Sequence, residues 1–196
     1  DKPLIDPTCG SGTFCIEAAM MARQIAPGLR RTFSFEDWNW VDDRLIQEVR
    51  TEASKKINRD LVLDIMGTDI DARMVEIAKE NAQKAGVASD ITFKQMRVQD
   101  LRSDKINGVI ISNPPYGERL SDDAGVTKLY AEMGEVFAPL TTWSKFILTS
   151  DENFEKKFGR PADKKRKLYN GTLKVDLYQF FGERVRRQSS NEKGSI

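Results

Sequence analysis

Apolar and polar positions follow two different spacings along this chain, and the two spacings alternate in a regular order. Short apolar runs such as Val109-Ile110-Ile111-Ser112 have the length and β-branched composition of buried strands. Between these runs, apolar residues recur every three or four positions, as they do on one face of a helix. The pattern predicts strands over 4–5, 61–70, 91–95, 109–112, 146–149 and 173–180, and helices over 13–25, 43–58, 72–85, 123–139 and 152–158.

The end of the chain departs from this order of strands and helices. Residues 173–180 alternate cleanly, and Asn170-Gly171 before them is a turn signal, so the last two strands are predicted to form a hairpin. Successive strand–helix units give a parallel sheet, because each helix carries the chain back across a face of the sheet. The expected fold is therefore α/β, with a seven-stranded, mostly parallel sheet whose last strand is antiparallel, and with helices on both faces.

Two stretches lie outside the periodic segments. Residues 30–40 are irregular, and we expect their aromatic rings to plug an edge of the sheet in preference to forming a platform for substrate. These rings belong to Phe33, Phe35, Trp38 and Trp40. Lys164-Lys165-Arg166-Lys167 is a run of cations, for which we expect a solvated loop in preference to a phosphate contact.

The composition describes a globular chain and removes several kinds of chemistry. The 196 residues are enough for one domain with a sizeable core, and 39% of them are hydrophobic against 31% charged. No apolar run reaches the roughly 20 residues of a membrane span. The chain has no histidine, which excludes Ser-His-Asp and Cys-His catalysis and most zinc sites, so we expect no metal. Cys9 and Cys15 lack a CxxC spacing and fit a reducing cytoplasm. A net charge of +1 neither requires nor excludes nucleic acid.

A glycine-rich loop follows the first predicted strand and opens the first predicted helix. It reads Asp6-Pro7-Thr8-Cys9-Gly10-Ser11-Gly12-Thr13. The third glycine of a dinucleotide fingerprint is missing, and the Gly-Lys-Ser/Thr of a phosphate-binding loop is absent as well. An acidic residue at the start of the loop disfavours a pyrophosphate and favours a cationic ligand, such as the ammonium and sulfonium of S-adenosylmethionine (SAM). The alternative is a purely structural turn between a strand and a helix.

Acidic residues also follow the second and third predicted strands. Asp69 ends the second strand, where a carboxylate accepts hydrogen bonds from both hydroxyls of a ribose. Ile70 is expected either to pack against an adenine face or to join the core, and Asp71 to cap the next helix. Asp100 follows the third strand, where it either accepts a hydrogen bond from an adenine amino group or serves in a turn. The carboxyl ends of parallel strands meet at one edge of a sheet, so these features point to one nucleoside site.

The fourth predicted strand ends in Asn113-Pro114-Pro115-Tyr116-Gly117. Neither proline has an N–H for a ladder, and each fixes φ near −65°, so the chain leaves the sheet stiffly at Asn113. A stiff exit fixes the directions of the Asn113 side chain, the Pro114 carbonyl and the Tyr116 ring. Two acceptors and one flat ring suit a planar amine such as the amino group of a nucleobase.

These features together resemble the class I SAM-dependent methyltransferases, and in particular those amino-methyltransferases that carry Asn-Pro-Pro-Tyr. A narrower likeness is to the catalytic domain of the bacterial 23S rRNA guanine-N2 methyltransferases (RlmL-like, often named N6-adenine-specific DNA methylases). The stretches that carry it are 6–13, 25–28, 67–71, 113–120 and 167–171. The resemblance implies a Rossmann-like class I methyltransferase fold with SAM as cofactor.

The resemblance also implies roles for individual residues. The methionyl end of SAM would lie at Asp6, Gly10 and Gly12, the ribose at Asp69, and the adenine at Asp100 beside Ile70. The implied cofactor-binding set is Asp6, Pro7, Cys9, Gly10, Gly12, Thr13, Asp69, Ile70, Asp100 and Asn113. The implied catalytic set, which holds the target base, is Asn113, Pro114 and Tyr116. Further substrate contacts are implied for Pro115, Gly117 and Arg119.

The expected activity is methyl transfer to an exocyclic amino group, guanine N2 of 23S rRNA, in the cytoplasm. The alternatives are an adenine-N6 DNA methyltransferase, a protein glutamine methyltransferase, and a SAM-binding or RNA-binding module without turnover. Residues 1–188 are expected to form the catalytic domain and 189–196 a polar tail. Members of that family usually carry an N-terminal THUMP RNA-binding domain, and because the sequence opens directly on a strand, we expect such a region to have been removed upstream. RNA is the expected partner.

Overall fold

The computed structural model describes residues 2–115 and 123–183. Strands and helices alternate as the apolar pattern predicts. The strands are β1 (Leu4–Asp6), β2 (Ile65–Asp69), β3 (Ile91–Gln95), β4 (Val109–Ser112), β5 (Ser144–Thr149), β6 (Lys164–Asn170) and β7 (Leu173–Phe180). The helices are α1 (Thr13–Ala22), α2 (Asp43–Lys55), α3 (Ala72–Ala85), α4 (Asp123–Phe137) and α5 (Phe154–Phe158).

All seven strands form one sheet in the order β3-β2-β1-β4-β5-β7-β6. The strands β1 to β5 pair in parallel, whereas β7 is antiparallel to both β5 and β6. This confirms the predicted mostly parallel sheet with an antiparallel last strand, and it confirms the terminal hairpin. The strand order reverses between β1 and β4, and open α/β sheets bind ligands outside the carboxyl ends of strands at such a reversal.

Each face of the sheet has its own hydrophobic core. On one face α1 and α3 pack over the first three strands through Cys15, Ala19 and Ala78. On the other face α4 and α5 pack through a larger aromatic cluster, whose fully or almost fully buried members are Tyr130, Phe137, Trp143, Phe154, Tyr178 and Phe180. Burying apolar area on both faces is what a parallel sheet requires. The sheet thereby becomes a rigid platform whose carboxyl edge is held from both sides.

Several predicted elements are shorter than their sequence pattern indicates, and for two of them the structure shows why. The second strand was expected from 61 but begins at Ile65, which is where its partner β3 begins at Ile91. The carbonyl of Leu61 instead accepts a hydrogen bond from Arg23. The first helix was expected to reach 25 but ends at Ala22, because Gln24 takes a left-handed conformation with φ of 57°.

The aromatic segment does not plug an edge of the sheet, and that expectation is wrong. Trp40 is 79% exposed and Trp38 is 50% exposed. Their ring centroids lie 5.2 Å apart, and Trp38 also meets Phe35 edge to face, so these rings pack against one another. The segment leads into α2, none of whose residues is buried, so this part of the chain stands away from both cores.

The cationic run 164–167 is not a loop, and that expectation is also wrong. It forms the first half of β6 and pairs residue by residue with β7, from Lys164 opposite Gln179 to Asn170 opposite Leu173. Charged residues are compatible with a strand here because β6 is the outermost strand of the sheet, where side chains reach solvent.

Candidate active site

The glycine-rich loop and the end of β2 are held together by hydrogen bonds that backbone amides donate. The amide of Gly10 donates to Asp69 Oδ2 at 2.9 Å, and the amide of Cys9 donates to the Thr68 carbonyl at 2.9 Å. The second oxygen of the same carboxylate, Asp69 Oδ1, accepts from the Asp71 amide at 2.9 Å. The loop after β1 and the turn after β2 therefore form a single surface at the carboxyl edge of the sheet.

Glycine is required at the start of α1. Gly12 has φ of 86°, and a Cβ atom there would lie 2.9 Å from Phe93 Cζ and 3.0 Å from Ala78 Cβ. No larger residue fits without moving the core side chains behind the loop. The first turn of α1 begins directly after this glycine, and its first amide groups have no partner within the helix.

Asp69 retains the capacity to bind a ligand although it already has two partners. An ionised carboxylate offers about four acceptor positions, and the amides of Gly10 and Asp71 use two of them. The side chain is half-buried, so part of this carboxylate, which ends β2, is reachable from solvent. The neighbouring Asp71 accepts from the Arg73 amide and caps α3, which confirms its predicted structural role.

Asp6 is the one buried carboxyl group of this loop. Burial raises the pKa of Asp6 to about 7, and the nearby charge of Asp69 adds to that rise. The Thr8 amide opposes it, because this amide donates a hydrogen bond to Asp6 Oδ1 at 3.1 Å. Burial also raises the pKa of the Cys9 thiol to about 12, and it raises that of the Cys15 thiol. Neither thiol is therefore an activated nucleophile.

Ile70 and Asp100 both lie at this edge, beyond the ends of β2 and β3. The side chain of Ile70 is 63% exposed, which decides against the core role that its sequence left open. Asp100 is exposed in a short 3-10 turn, Val98–Asp100, that follows β3. The Met96 amide donates to the Asp69 carbonyl at 2.9 Å and ties the exit of β3 to the end of β2.

A side-chain hydrogen bond joins the glycine-rich loop to the Asn-Pro-Pro segment. The hydroxyls of Thr8 and Ser112 lie 2.7 Å apart, and Ser112 is fully buried immediately before Asn113. Asn113 is exposed, Pro114 is buried, and Pro115 is half-buried. The predicted site residues Tyr116, Gly117 and Arg119 lie outside the described residues.

A series of buried hydroxyl groups is hydrogen-bonded to the Asn-Pro-Pro segment. Tyr130 on α4 donates its hydroxyl hydrogen to the Pro115 carbonyl at 3.3 Å, and its oxygen lies 2.8 Å from Thr149 Oγ1. Because a tyrosine hydroxyl has one hydrogen, Thr149 donates to Tyr130, while Thr149 Oγ1 accepts from the Asp151 amide at 3.1 Å. These hydrogen bonds therefore connect the end of β5, through α4, to the Asn-Pro-Pro segment.

The family model for the RMKL-like methyltransferase domain, UPF0020, matches residues 1–179 of this sequence. This chain belongs to that family. The candidate RNA methyltransferase YpsC of Bacillus subtilis (strain 168) is 52% identical over 183 residues, which are 93% of this chain and 48% of YpsC. The ribosomal RNA large subunit methyltransferase K/L of Shewanella amazonensis is 41% identical over 95% of this chain and 28% of its own length.

A solved structure agrees with the fold of this RMKL-like domain. SMU.472, crystallised with S-adenosylhomocysteine (SAH), is 64% identical, with a TM-score of 0.91 over 95% of this chain and 49% of SMU.472. The RMKL-like domain thus spans about half the length of YpsC and of SMU.472, and less of the Shewanella protein.

The geometry of the RMKL-like domain favours positioning chemistry. The residues that it brings together supply acceptors and backbone amides at one edge, and the thiols of Cys9 and Cys15 are buried and protonated. Among residues 2–115 and 123–183 there is no group of three or more acidic or cysteine residues able to hold a metal ion, and no helix is both long and apolar enough to cross a bilayer.

The roles of Tyr130 and Thr149 in the site cannot be predicted from their sequence pattern. Tyr130 fits the apolar face of its helix, and Thr149 fits the end of a strand, so their spacing carries no sign of a polar role. The hydrogen bond between them links positions 19 residues apart, and it forms only when α4 packs on β5.

Proposed function

We propose that this domain transfers a methyl group from SAM to the exocyclic amino group of a nucleobase, guanine N2 in 23S rRNA. The observation that carries this proposal is the 2.7 Å hydrogen bond between Thr8 and Ser112. This hydrogen bond holds the glycine-rich loop, whose residues suit a cationic nucleoside, directly beside β4, which ends just before Asn113. A donor site and an amine site on neighbouring strands are what direct transfer between two bound molecules requires.

The residues of the loop fit SAM. The carboxyl of Asp6 would bind the ammonium of its methionyl end, and the open acceptor positions of Asp69 would take the ribose hydroxyls. Ile70, exposed beside Asp69, would cover one face of the adenine, and Asp100 would accept from its amino group. Gly10, Gly12 and Thr13 would contact the ligand through their backbone. When bound, SAM supplies an electrophilic methyl group on a sulfonium.

The residues after β4 fit the amine that receives the methyl group. The lone pair of an exocyclic amino nitrogen is delocalised into its ring, so the free amine is a poor nucleophile. Hydrogen bonds from its two N–H groups to Asn113 Oδ1 and to the Pro114 carbonyl would favour a pyramidal nitrogen with a directed lone pair. Tyr116 would stack on the base. The proton leaves after transfer, when the nitrogen has become acidic, so no histidine is needed.

An RNA substrate is supported by the names of the relatives, which describe methyltransferases of RNA and of the large ribosomal subunit. Because this domain spans only part of those proteins, the proposal for the whole protein includes a further RNA-binding region of the THUMP type. The Asn-Pro-Pro motif accepts an adenine amine equally well, so the base and the nucleic acid have to be distinguished by experiment.

The decisive experiment incubates the protein with methyl-labelled SAM and unmodified ribosomal RNA, with DNA in parallel, and digests the products to nucleosides. N2-methylguanosine from the RNA is the expected product. N6-methyladenine in DNA would keep the mechanism and replace the substrate. Label in neither nucleic acid, from a protein that still binds SAM, would contradict the proposed substrate class.

A further inference from the structure

We propose that the outer strand β6 is the surface along which the RNA backbone lies when the target base is held at Asn113. This inference rests on the proposed function and adds to it the place where the RNA outside the active site is bound. The sequence pattern alone predicts a solvated loop for the cations of β6, whereas the hairpin arranges them on a rigid strand.

The direction of β6 brings it to the edge that carries the active site. It is antiparallel to β7, which is antiparallel to β5, so β6 runs parallel to β4. Its carboxyl end therefore lies at the same edge of the sheet as Ser112 and Asn113. With β5 and β7 between them, β6 is three strand spacings from β4, or about 14 Å. Stacked nucleotides advance about 3.4 Å each, so that distance corresponds to roughly four nucleotides.

The side chains of β6 are exposed from Lys164 to Tyr169. Lys165 is engaged within the protein, because its Nζ lies 3.2 Å from Asp176 Oδ2 and 4.7 Å from the centroid of the Tyr178 ring. In the described part of the chain, Lys164, Arg166 and Lys167 form no ion pair. Three cations on a strand of fixed geometry are thus available to an external anion.

The chemistry of this strand suits RNA in two ways. Lysine and arginine bind phosphate oxygens, and a guanidinium does so through two parallel hydrogen bonds. Tyr169, at 68% exposure, adds a flat aromatic face near the carboxyl end of the strand, on which an unpaired base can stack. The structural alternative is that the cations of an edge strand only prevent pairing between sheets of neighbouring molecules.

The test compares two triple variants with equal loss of charge. The first, Lys164→Gln/Arg166→Gln/Lys167→Gln, neutralises β6. The control, Lys55→Gln/Lys56→Gln/Arg59→Gln, neutralises exposed cations at the end of α2 and in the segment that leads to β2, away from the carboxyl edge. The affinity of each protein for a fluorescent single-stranded RNA oligonucleotide is measured in the presence of SAH over a range of salt concentrations. Sizing chromatography of each variant is run alongside.

At physiological salt, we expect the β6 variant to bind the RNA at least about tenfold more weakly than the unmodified protein does. Each lost phosphate contact removes about 0.7 from the slope of log affinity against log salt, so the slope should fall by about 2. SAH affinity and the RNA binding of the control should match the unmodified protein. Equal RNA affinity and slope in both variants would overturn the inference, and so would a β6 variant that self-associates but binds RNA normally.

The same measurements separate this inference from the proposed function. An unmodified protein that methylates RNA, together with a β6 variant of unchanged RNA affinity, overturns only the role of β6. An unmodified protein that neither binds nor methylates the RNA overturns both.

Discussion

At the scale of single residues, Asp6 has the clearest electrostatic consequence. Its folded-state pKa of about 7 lies above the ordinary 3.8, so the folded protein holds this proton to higher pH than the unfolded chain does. Its contribution to the free energy of unfolding therefore falls as the pH rises from about 4 to about 7, and it changes little above that. A cationic ligand would reverse the balance, because it favours the ionised carboxylate.

Binding of SAH should therefore strengthen with pH in this range. The ionised fraction of a carboxyl with a pKa near 7 rises about tenfold between pH 6 and pH 8, so the dissociation constant should fall by roughly the same factor. Isothermal titration calorimetry at several pH values measures it. Asp6→Asn should bind more weakly and without this pH dependence. Asp71→Asn, a helix cap whose pKa is lowered by Arg73, should retain the dependence.

Asn113 supplies the second prediction at this scale. Asn113→Ala removes one preorganised acceptor for the amine and should lower turnover by roughly 100-fold or more. The affinity for SAM should stay within about twofold of the unmodified value, because the contacts proposed for its ammonium and its ribose are made by Asp6 and Asp69 and not by Asn113. Single-turnover methylation and SAM titration measure the two quantities. Unchanged turnover would remove Asn113 from the proposed mechanism.

At the scale of elements, the contacts of α4 determine how rigidly the Asn-Pro-Pro segment is held. The Tyr130 hydroxyl bonds to Pro115 on one side and to Thr149 on the other, while its ring meets Phe154 edge to face at 4.9 Å. Helix, strand and active-site segment therefore share one hydrogen-bond chain. If the Asn-Pro-Pro segment were less rigid, it would hold the amine less well. The neighbouring glycine-rich loop, which is proposed to bind SAM, would be unchanged.

Tyr130→Phe keeps the ring and removes the hydroxyl, so it tests this coupling directly. The matched control is Tyr178→Phe, because Tyr178 is equally buried, packs on the same Phe154 ring, and donates to the Asp151 carbonyl at 3.2 Å. Both variants should lose about 1 kcal/mol of unfolding free energy. Only Tyr130→Phe should also lower kcat, by about fivefold to tenfold, with KM for SAM unchanged. Equal kcat values for the two variants would show that the hydroxyl serves stability alone.

At the scale of the whole molecule, one buried ion pair ties together segments remote in sequence. Arg23, at the end of α1, forms a two-pronged pair with the buried carboxylate of Asp90 before β3. It also donates to the carbonyls of Asn58, Arg59 and Leu61, which lead into β2. These contacts lie at the amino edge of the strands, opposite the candidate active site.

Arg23→Met should therefore destabilise the protein without impairing its site. Removing one partner of a buried pair leaves the Asp90 charge without compensation and costs about 3 kcal/mol. Lys105→Met breaks an exposed pair with Asp64, about half-exposed on each side, and should cost less than about 1 kcal/mol. Urea denaturation measures both losses. Similar losses in the two variants would contradict this role for Arg23, and SAH affinity below the unfolding transition should be unchanged in both.

The periodicity of apolar residues and the chemistry of a few motifs were sufficient to determine the order of strands and helices, the terminal hairpin, and the edge of the sheet where acidic residues and glycines collect. These are local properties, because a strand, a helix start or a proline exit depends on neighbouring residues. The cap at Asp71 and the left-handed Gly12 before α1 belong with them.

Only the tertiary structure decided which distant groups meet. The Thr8–Ser112 and Tyr130–Thr149 hydrogen bonds, the placement of the cationic run on β6, and the exposure of Ile70 and Trp40 all depend on which elements pack together. Composition alone cannot distinguish an outer strand from a loop, or a packed aromatic from an exposed one. Burial and partner choice arise from contacts between segments far apart along the chain, and those contacts exist only once the sheet and its two cores have formed.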